Sequence, residues 1–254
     1  NTANGEKKEV LTGEKGSKFK TPSFSKTNTL AFYANTDTTK AGKKNISIYL
    51  YDIHAGKVQL AAHNGMKGLQ EGWIVSEDGT LSFSKDGKRL VTLTDDRKNH
   101  NADLPSHCYL VAQYSEDNGK TWSNPVTVAG TAETGGNYGH GDASIVTNRD
   151  NGEIVGIMTS AGTYGHGFFA GTAAEPPRWK TITSRDGGLT WETPVDHTDD
   201  LFGANCDNEK TKTWKSGFSG SGAALQKRDG TLVSSFVNRQ ADNSQHFYFF
   251  MSKD

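Results

Sequence analysis

Apolar and polar positions along this chain alternate in short bursts. Ile46-Ser47-Ile48-Tyr49-Leu50-Tyr51 and Cys108-Tyr109-Leu110-Val111-Ala112-Gln113-Tyr114 are rich in β-branched and aromatic residues and are separated by Asp, Asn and Gly. Half-buried strands closed by turns carry this signature. Almost no segment places apolar residues at i, i+3, i+4 and i+7 over successive turns, so helix is expected to be a minor component. Most of the 29 glycines fall between the strand-like runs. The pattern predicts an all-β chain.

The alternation is itself repeated. Ser115-Glu116-Asp117-Asn118-Gly119-Lys120-Thr121-Trp122 and Ser184-Arg185-Asp186-Gly187-Gly188-Leu189-Thr190-Trp191 share the pattern S-x-D-x-G-x-T-W and start 69 residues apart. A further step of 68 residues reaches Ser252-Lys253-Asp254, the opening of a third copy. One step back lies a degenerate relative, Tyr51-Asp52-Ile53-His54-Ala55-Gly56-Lys57, with the aspartate and glycine but neither serine nor tryptophan. Before each octet come two strands joined by a tight turn, as in Leu81-Ser82-Phe83-Ser84-Lys85-Asp86-Gly87-Lys88-Arg89-Leu90-Val91. The unit is therefore strand, turn, strand, loop, strand, octet, strand. Such a four-stranded antiparallel unit, repeated at this period, predicts a β-propeller with about four blades in this chain. The expected division is an N-terminal extension over 1–18 and a partial propeller over 19–254.

Within each octet the glycine suits a turn position of positive φ, the Asp carboxylate and Ser hydroxyl can accept from turn N–H groups, and the Trp can cap the hairpin by packing inward. Nothing in it is chemically reactive. Asp117, Asp186, Trp122 and Trp191 are therefore read as scaffold.

Composition narrows the function. The 254 residues carry a formal charge of −1, with Lys and Arg interleaved among Asp and Glu, so no basic face marks a nucleic-acid partner. No run approaches the roughly 18 apolar residues of a membrane-spanning helix, and Asn1 to Lys8 holds no apolar signal core. Because the chain opens on Asn1 rather than Met, it is expected to be a processed product or a fragment. Cys108 and Cys206 are compatible with one bridge or with two buried thiols. His100, His107 and Cys108 match no common metal-site spacing, no G-x-S-x-G elbow is present, and neither metal nor cofactor is expected.

The two octets resemble the Asp-boxes of the sialidase (neuraminidase) and trans-sialidase superfamily. Gly141-Asp142-Ala143-Ser144-Ile145-Val146, Gly220-Ser221-Gly222 and Asp229-Gly230-Thr231-Leu232-Val233 also resemble its blade-opening strands, so the likeness covers roughly residues 80 to 254. It implies a six-bladed, cofactor-free, secreted or cell-surface propeller that cleaves terminal α-linked sialic acid from glycans. Arginines hold the sugar carboxylate, an aspartic acid serves as general acid/base, and a glutamate-activated tyrosine is the nucleophile, a recognised exception among retaining glycosidases. A tyrosine suits this chemistry because an anionic nucleophile would be repelled by a carboxylate on the anomeric carbon, while guanidinium pairs with that carboxylate bidentately.

Carried over position by position, Thr94-Asp95-Asp96-Arg97 resembles the family's Asp-x-Arg segment, and Asp103 follows Arg97 by six residues. The resemblance thus implies that Arg97 binds the sialic acid carboxylate and that Asp103 protonates the leaving oxygen. The glycine-rich stretch Gly162-Thr163-Tyr164-Gly165-His166-Gly167-Phe168-Phe169 matches a region that places an aromatic residue against the sugar, which makes Phe168 and Phe169 substrate-binding candidates or ordinary packing residues. Two departures stand beside these matches. The arginine of the family's Phe-Arg-Ile-Pro motif is missing from Glu77-Asp78-Gly79-Thr80-Leu81, and Tyr109 replaces an aspartate that contacts the substrate's N-acyl region. Six blades at this spacing need about 400 residues. The nucleophile, the activating glutamate and the remaining arginines are therefore expected beyond Asp254, and Tyr138 and Tyr164 are not assigned to that role. A second chain or a further C-terminal segment would complete the propeller. The second reading is a non-catalytic sialidase-like propeller that binds glycans or proteins.

Overall fold

The computed structural model describes residues 4–36, 45–69, 71–97, 103–130, 139–161, 165–220 and 222–252. The four units read from the repeat are four antiparallel sheets. The first is β1 (Lys18–Phe24), β2 (Thr29–Asn35), β3 (Ser47–Asp52) and β4 (Lys57–Ala62), paired in chain order. The second is β5 (Ser82–Phe83), β6 (Leu90–Arg97), β7 (Cys108–Ser115) and β8 (Val126–Ala129). The third is β9 (His140–Thr147), β10 (Ile154–Ser160), β11 (Arg178–Ser184) and β12 (Val195–Asp196). A single turn of helix, α1 (Thr198–Leu201), follows. The fourth sheet holds β13 (Ser216–Ser219), β15 (Leu225–Gln226), β16 (Leu232–Arg239) and β17 (Gln245–Ser252), while β14 (Gly222–Ala223) leaves it. Opening strands meet in the middle of the molecule: β5 lies against β1 and β9, and β14 against β9 and β1. The fold is all-β, a β-propeller.

Apolar layers between successive sheets form the core, and the middle strands β6 and β10, covered on both faces, are buried in continuous runs rather than at alternate positions. Ile48, Leu50 and Ala61 of the first sheet pack with Phe83 and Leu90 of the second. Leu93, Leu110 and Ala112 pack with Ile145, Met158 and Ile182 of the third. Ile157 and Trp179 then meet Phe236 of the fourth, together with Phe202 and Trp214. On the outer face of the first sheet, Val10 and Leu11 from the segment before β1 pack against Phe32, Ala34 and Tyr51.

The octets do what their chemistry suggests. In the first, Asp117 Oδ1 accepts from Ser115 Oγ at 2.9 Å and Thr121 N at 2.9 Å, and its Oδ2 accepts from Thr121 Oγ1 at 2.6 Å. In the second, Asp186 Oδ1 accepts from Ser184 Oγ at 2.9 Å, Leu189 N at 3.0 Å and Thr190 N at 2.9 Å, and its Oδ2 from Thr190 Oγ1 at 2.5 Å. Each octet glycine has positive φ, +80° at Gly119 and +94° at Gly188. It also faces the preceding sheet: a Cβ on Gly119 would stand 2.4 Å from Ala61 Cβ, and one on Gly188 2.7 Å from Val91 Cγ2. Trp122 packs onto the layer between the first two sheets, and Trp191 onto the next. Arg89 ties the repeats together, donating to Glu116 Oε1 at 2.7 Å and to the Asp186 carbonyl at 2.8 Å.

The opening strand of the fourth sheet departs from the simple repeat. β13 and β15 pair with opposite ends of β16, and between them β14 crosses to run parallel with β9, Gly222 beside Ser144. Phe236 explains part of this path. Its ring occupies the space over Gly217, where a Cβ would lie 1.9 Å from Cζ, so only glycine fits on β13. On the far face of this sheet Phe247, Phe249 and Met251 are 59%, 58% and 65% exposed. Cys108 and Cys206 are both buried free thiols, so the bridge that the sequence allowed is not formed.

Candidate functional site

β6 and β7 pair along their whole length, from Leu90 beside Ser115 to Arg97 beside Cys108. The octets therefore sit at one end of the sheets, and Arg97 sits at the other, roughly 23 Å away at 3.3 Å per residue. Period-two alternation puts Asp95 and Arg97 on the same side of β6. Arg97 Nη2 stands 3.3 Å from Asp95 Oδ2 and 3.4 Å from Asp103 Oδ1, so one guanidinium bridges two carboxylates. The structure thus brings the two residues singled out by sequence into contact and adds a third.

The two carboxylates differ in setting. Asp103 lies in the loop that returns to β7, with a side chain 71% exposed. Its Oδ1 also accepts from Leu104 N at 2.8 Å, and its carbonyl accepts from Ser106 N at 2.9 Å, which fixes the turn. Asp95 is largely buried, and burial pushes its carboxyl above the ordinary aspartate range despite the nearby Arg97 guanidinium. The space for it is made by Gly141 on β9, where a Cβ would stand 3.0 Å from Asp95 Oδ2. Cys108, beside Asp95, is held as a thiol by burial and by that neighbouring charge. For Arg97, burial opposes the charged form, but Asp95 and Asp103 outweigh it and raise its pKa.

Asp103 is held against the third sheet through its loop. A Cβ on Gly139 would stand 2.4 Å from Leu104 Cδ2, and one on Gly167 3.1 Å from the Leu104 carbonyl. Gly167 of the glycine-rich stretch therefore approaches the Asp103 loop. Phe168 is half-buried, edge-on to Phe218 with ring centroids 5.1 Å apart, and its carbonyl accepts from Ser216 Oγ at 2.7 Å and Arg239 Nε at 3.1 Å. Phe169, 76% exposed, lies edge-on to Phe168. Phe168 is thus tied to the fourth sheet by packing, and Phe169 presents the more exposed ring. His100, Tyr138 and Tyr164 lie outside the described residues. Among those described, no group of His, Cys, Asp and Glu is placed to hold a metal.

Beside Arg97 opens a cavity of about 670 Å³ between the first and second sheets. Its walls include Tyr33 and Ile48 on one side and Thr94, Asp96 and Gln113 on the other, with Trp73 from the connection between β4 and β5. Sequence reasoning found neither Asp95's role nor this cavity. The same-side spacing of Asp95 and Arg97 was the available signal for the first; the second depends on how the connection folds back.

No protein-family model matches the chain, and no curated protein matches its sequence. Solved structures do match. The Hadza microbial sialidase Hz136 is 20% identical with a TM-score of 0.61, the match covering 87% of this chain and 45% of that one. A mutant of Trypanosoma rangeli sialidase displaying trans-sialidase activity is 17% identical, with a TM-score of 0.55 over 73% of this chain and 31% of that one. The GH93 α-L-arabinofuranosidase of Fusarium graminearum is 14% identical, with a TM-score of 0.55 over 92% and 61%. Likeness at these identities establishes a shared fold. The chain spans less than half the length of the two sialidases and less than two thirds of the arabinofuranosidase.

Proposed function

We propose that this chain supplies part of a glycoside hydrolase site of the sialidase type, with Asp103 as general acid/base and Arg97 orienting the substrate. The observation that carries this reading is the 3.4 Å approach of Arg97 to an exposed Asp103 at the end of the sheets opposite the octets. An exposed carboxylate beside a guanidinium and an open cavity can reach a glycosidic oxygen, and general acid/base catalysis of this kind contributes roughly 10²–10⁴-fold. The fold neighbours, sialidases and an arabinofuranosidase, support glycosidase chemistry, and the octets and the Asp-x-Arg segment support sialic acid as the sugar cleaved. Phe169 is the better placed of the two aromatic candidates to meet a substrate.

The exposed Phe247, Phe249 and Met251 suit a further sheet, from a second chain or from additional sequence, that would bring the nucleophile and the remaining arginines. The division into an extension over 1–18 and a partial propeller over 19–254 belongs to the same proposal, as does a secreted or cell-surface location. Among the described residues no helix is long and apolar enough to cross a membrane. The alternative, a non-catalytic propeller that binds glycans or proteins, draws on Arg97 already having two carboxylate partners.

Release of fluorophore from a sialic acid glycoside tests the catalytic reading. Asp103→Ala is expected to lower turnover by roughly 10²-fold or more, and Arg97→Ala to act mainly through KM. Activity indifferent to both substitutions refutes the site; no release from the unaltered chain, alone or with a completing partner, favours binding.

A further inference from the structure

We propose that the cavity between the first and second sheets binds a neutral sugar ring of a glycan. Its volume of about 670 Å³ falls within the range of roughly 300–1,000 Å³ typical of small-molecule sites. The shape is tightly set where the chain enters β5. At Gly79 a Cβ would stand 2.8 Å from Tyr33 Oη and 2.9 Å from Thr94 Cγ2, so the connection threads between the two sheets without room for a side chain. Tyr33 Oη in turn donates to the Thr80 carbonyl at 3.3 Å. Trp73 and Met66 give the cavity apolar surfaces, while Thr94, Asp96 and Gln113 line it with polar atoms. That combination suits a sugar, whose C–H face packs on an aromatic ring and whose hydroxyls donate to carboxylate and amide oxygens.

Charge decides which sugar. The described lining includes Asp78, Asp95 and Asp96, with Arg97 its one basic residue; the Asp95 and Arg97 side chains share the side of β6 that meets Gly141 on β9, so Asp78 and Asp96 are the carboxylates that bear on the cavity. The Arg97 guanidinium is shared between Asp95 and Asp103. An anionic ring placed in the cavity would face the carboxylates of Asp78 and Asp96, whereas a neutral ring brings only hydroxyls, for which carboxylates are strong acceptors. The missing arginine in Glu77-Asp78-Gly79-Thr80-Leu81 acquires a physical sense here: Asp78 of that segment lines the cavity. The proposal takes from the glycosidase reading only the choice of sugars as ligands. In a substrate the neutral ring would be a neighbour of the sugar cleaved.

Saturation-transfer NMR on the intact chain tests this, with methyl β-galactopyranoside, methyl α-glucopyranoside, methyl β-xylopyranoside and the methyl α-glycoside of sialic acid as probes. At least one neutral glycoside is expected to bind, about tenfold more weakly to Trp73→Ala and with near-native affinity to Trp73→Phe. Asp96→Ala, on the opposite wall, is expected to weaken the same probe. Binding of no neutral glycoside, binding unaffected by Trp73→Ala and Asp96→Ala, or equally strong Trp73-dependent binding of the sialic acid glycoside would overturn the proposal. Because the readout is binding, a chain that cleaves nothing sinks the catalytic reading alone, and Trp73-independent binding sinks only this one.

Discussion

Replacing Asp186 with alanine should destabilise the fold while leaving the Arg97 end untouched. The carboxylate gathers four donors, Ser184 Oγ, Leu189 N, Thr190 N and Thr190 Oγ1, between 2.5 and 3.0 Å. The octet is solvent-exposed at Asp186, so water competes for each donor, and the low end of the net hydrogen-bond range applies, about 0.5 kcal/mol apiece. Losing all of them costs about 2 kcal/mol. For a chain of this size each kcal/mol shifts the melting midpoint by roughly 2–4 °C, which puts Asp186→Ala about 4–8 °C below the parent. Asp186→Asn keeps one acceptor oxygen and should lose about half as much.

The same bonds set a pH dependence with a definite sign. At Asp186 burial favours the protonated form, but the Thr190 hydroxyl and N–H, with Ser184, outweigh it and hold the pKa below the ordinary aspartate value. At Asp117 the side chain and N–H of Thr121 pull the carboxyl down to about 2. A pKa lower in the folded than in the unfolded chain means that the unfolded chain binds more protons. The stabilisation is present above the unfolded value near 3.9 and is lost as pH falls through the folded one. Urea titrations at pH 7 and near pH 3 should therefore show a smaller gap between parent and Asp186→Ala at the acid end. A midpoint for Asp186→Ala within a degree of the parent at pH 7 refutes the scaffold reading of the octets.

Two further substitutions separate sterics from titration. Gly217→Ala drives a methyl to 1.9 Å from Phe236 Cζ, a ring with no exposed surface, and should cost about 3 kcal/mol or more. Gly72→Ala has φ of +82° with nothing within 4 Å and should cost only the backbone term of about 1 kcal/mol; equal losses in denaturant unfolding would contradict this. Asp95→Asn should be neutral or stabilising at pH 7, because burial raises the folded pKa. The Asp95 contribution then falls as pH rises from the ordinary aspartate value through the raised one, so over that window the stability difference between parent and Asp95→Asn should move in favour of the variant. A difference that moves in favour of the parent would show that Arg97 outweighs burial.

The parts legible in the sequence are those whose causes are local. Every octet bond to Asp117 or Asp186 spans at most four residues, so the residue types and their spacing carry the geometry and, through it, the strand order. Arg97 and Asp103 were singled out through the resemblance, and their contact is local because both flank the connection between β6 and β7. Asp95 was not, because its burial is supplied by β9, where Gly141 leaves the room. The split opening strand likewise depends on Phe236 meeting Gly217 across a sheet, and the cavity on a connection folding over two blades. None of these contacts leaves a short-range pattern.

Aspartates at the two ends of the sheets respond to pH in opposite senses, and the difference follows from the number of donors each one faces. Asp186 has two hydroxyls and two N–H groups at hand and is stabilised by being ionised. Asp95 is largely buried with one guanidinium that it shares with Asp103, beside a thiol that burial keeps protonated, and the folded environment disfavours its charge. Ionised octet carboxylates stabilise the scaffold; an ionised Asp95 spends part of that stability to keep a carboxylate beneath Arg97. Strain of this sign is commonly found where a protein does chemistry or binds a ligand. It adds an electrostatic argument for the candidate site at the Arg97 end that does not depend on any sequence motif.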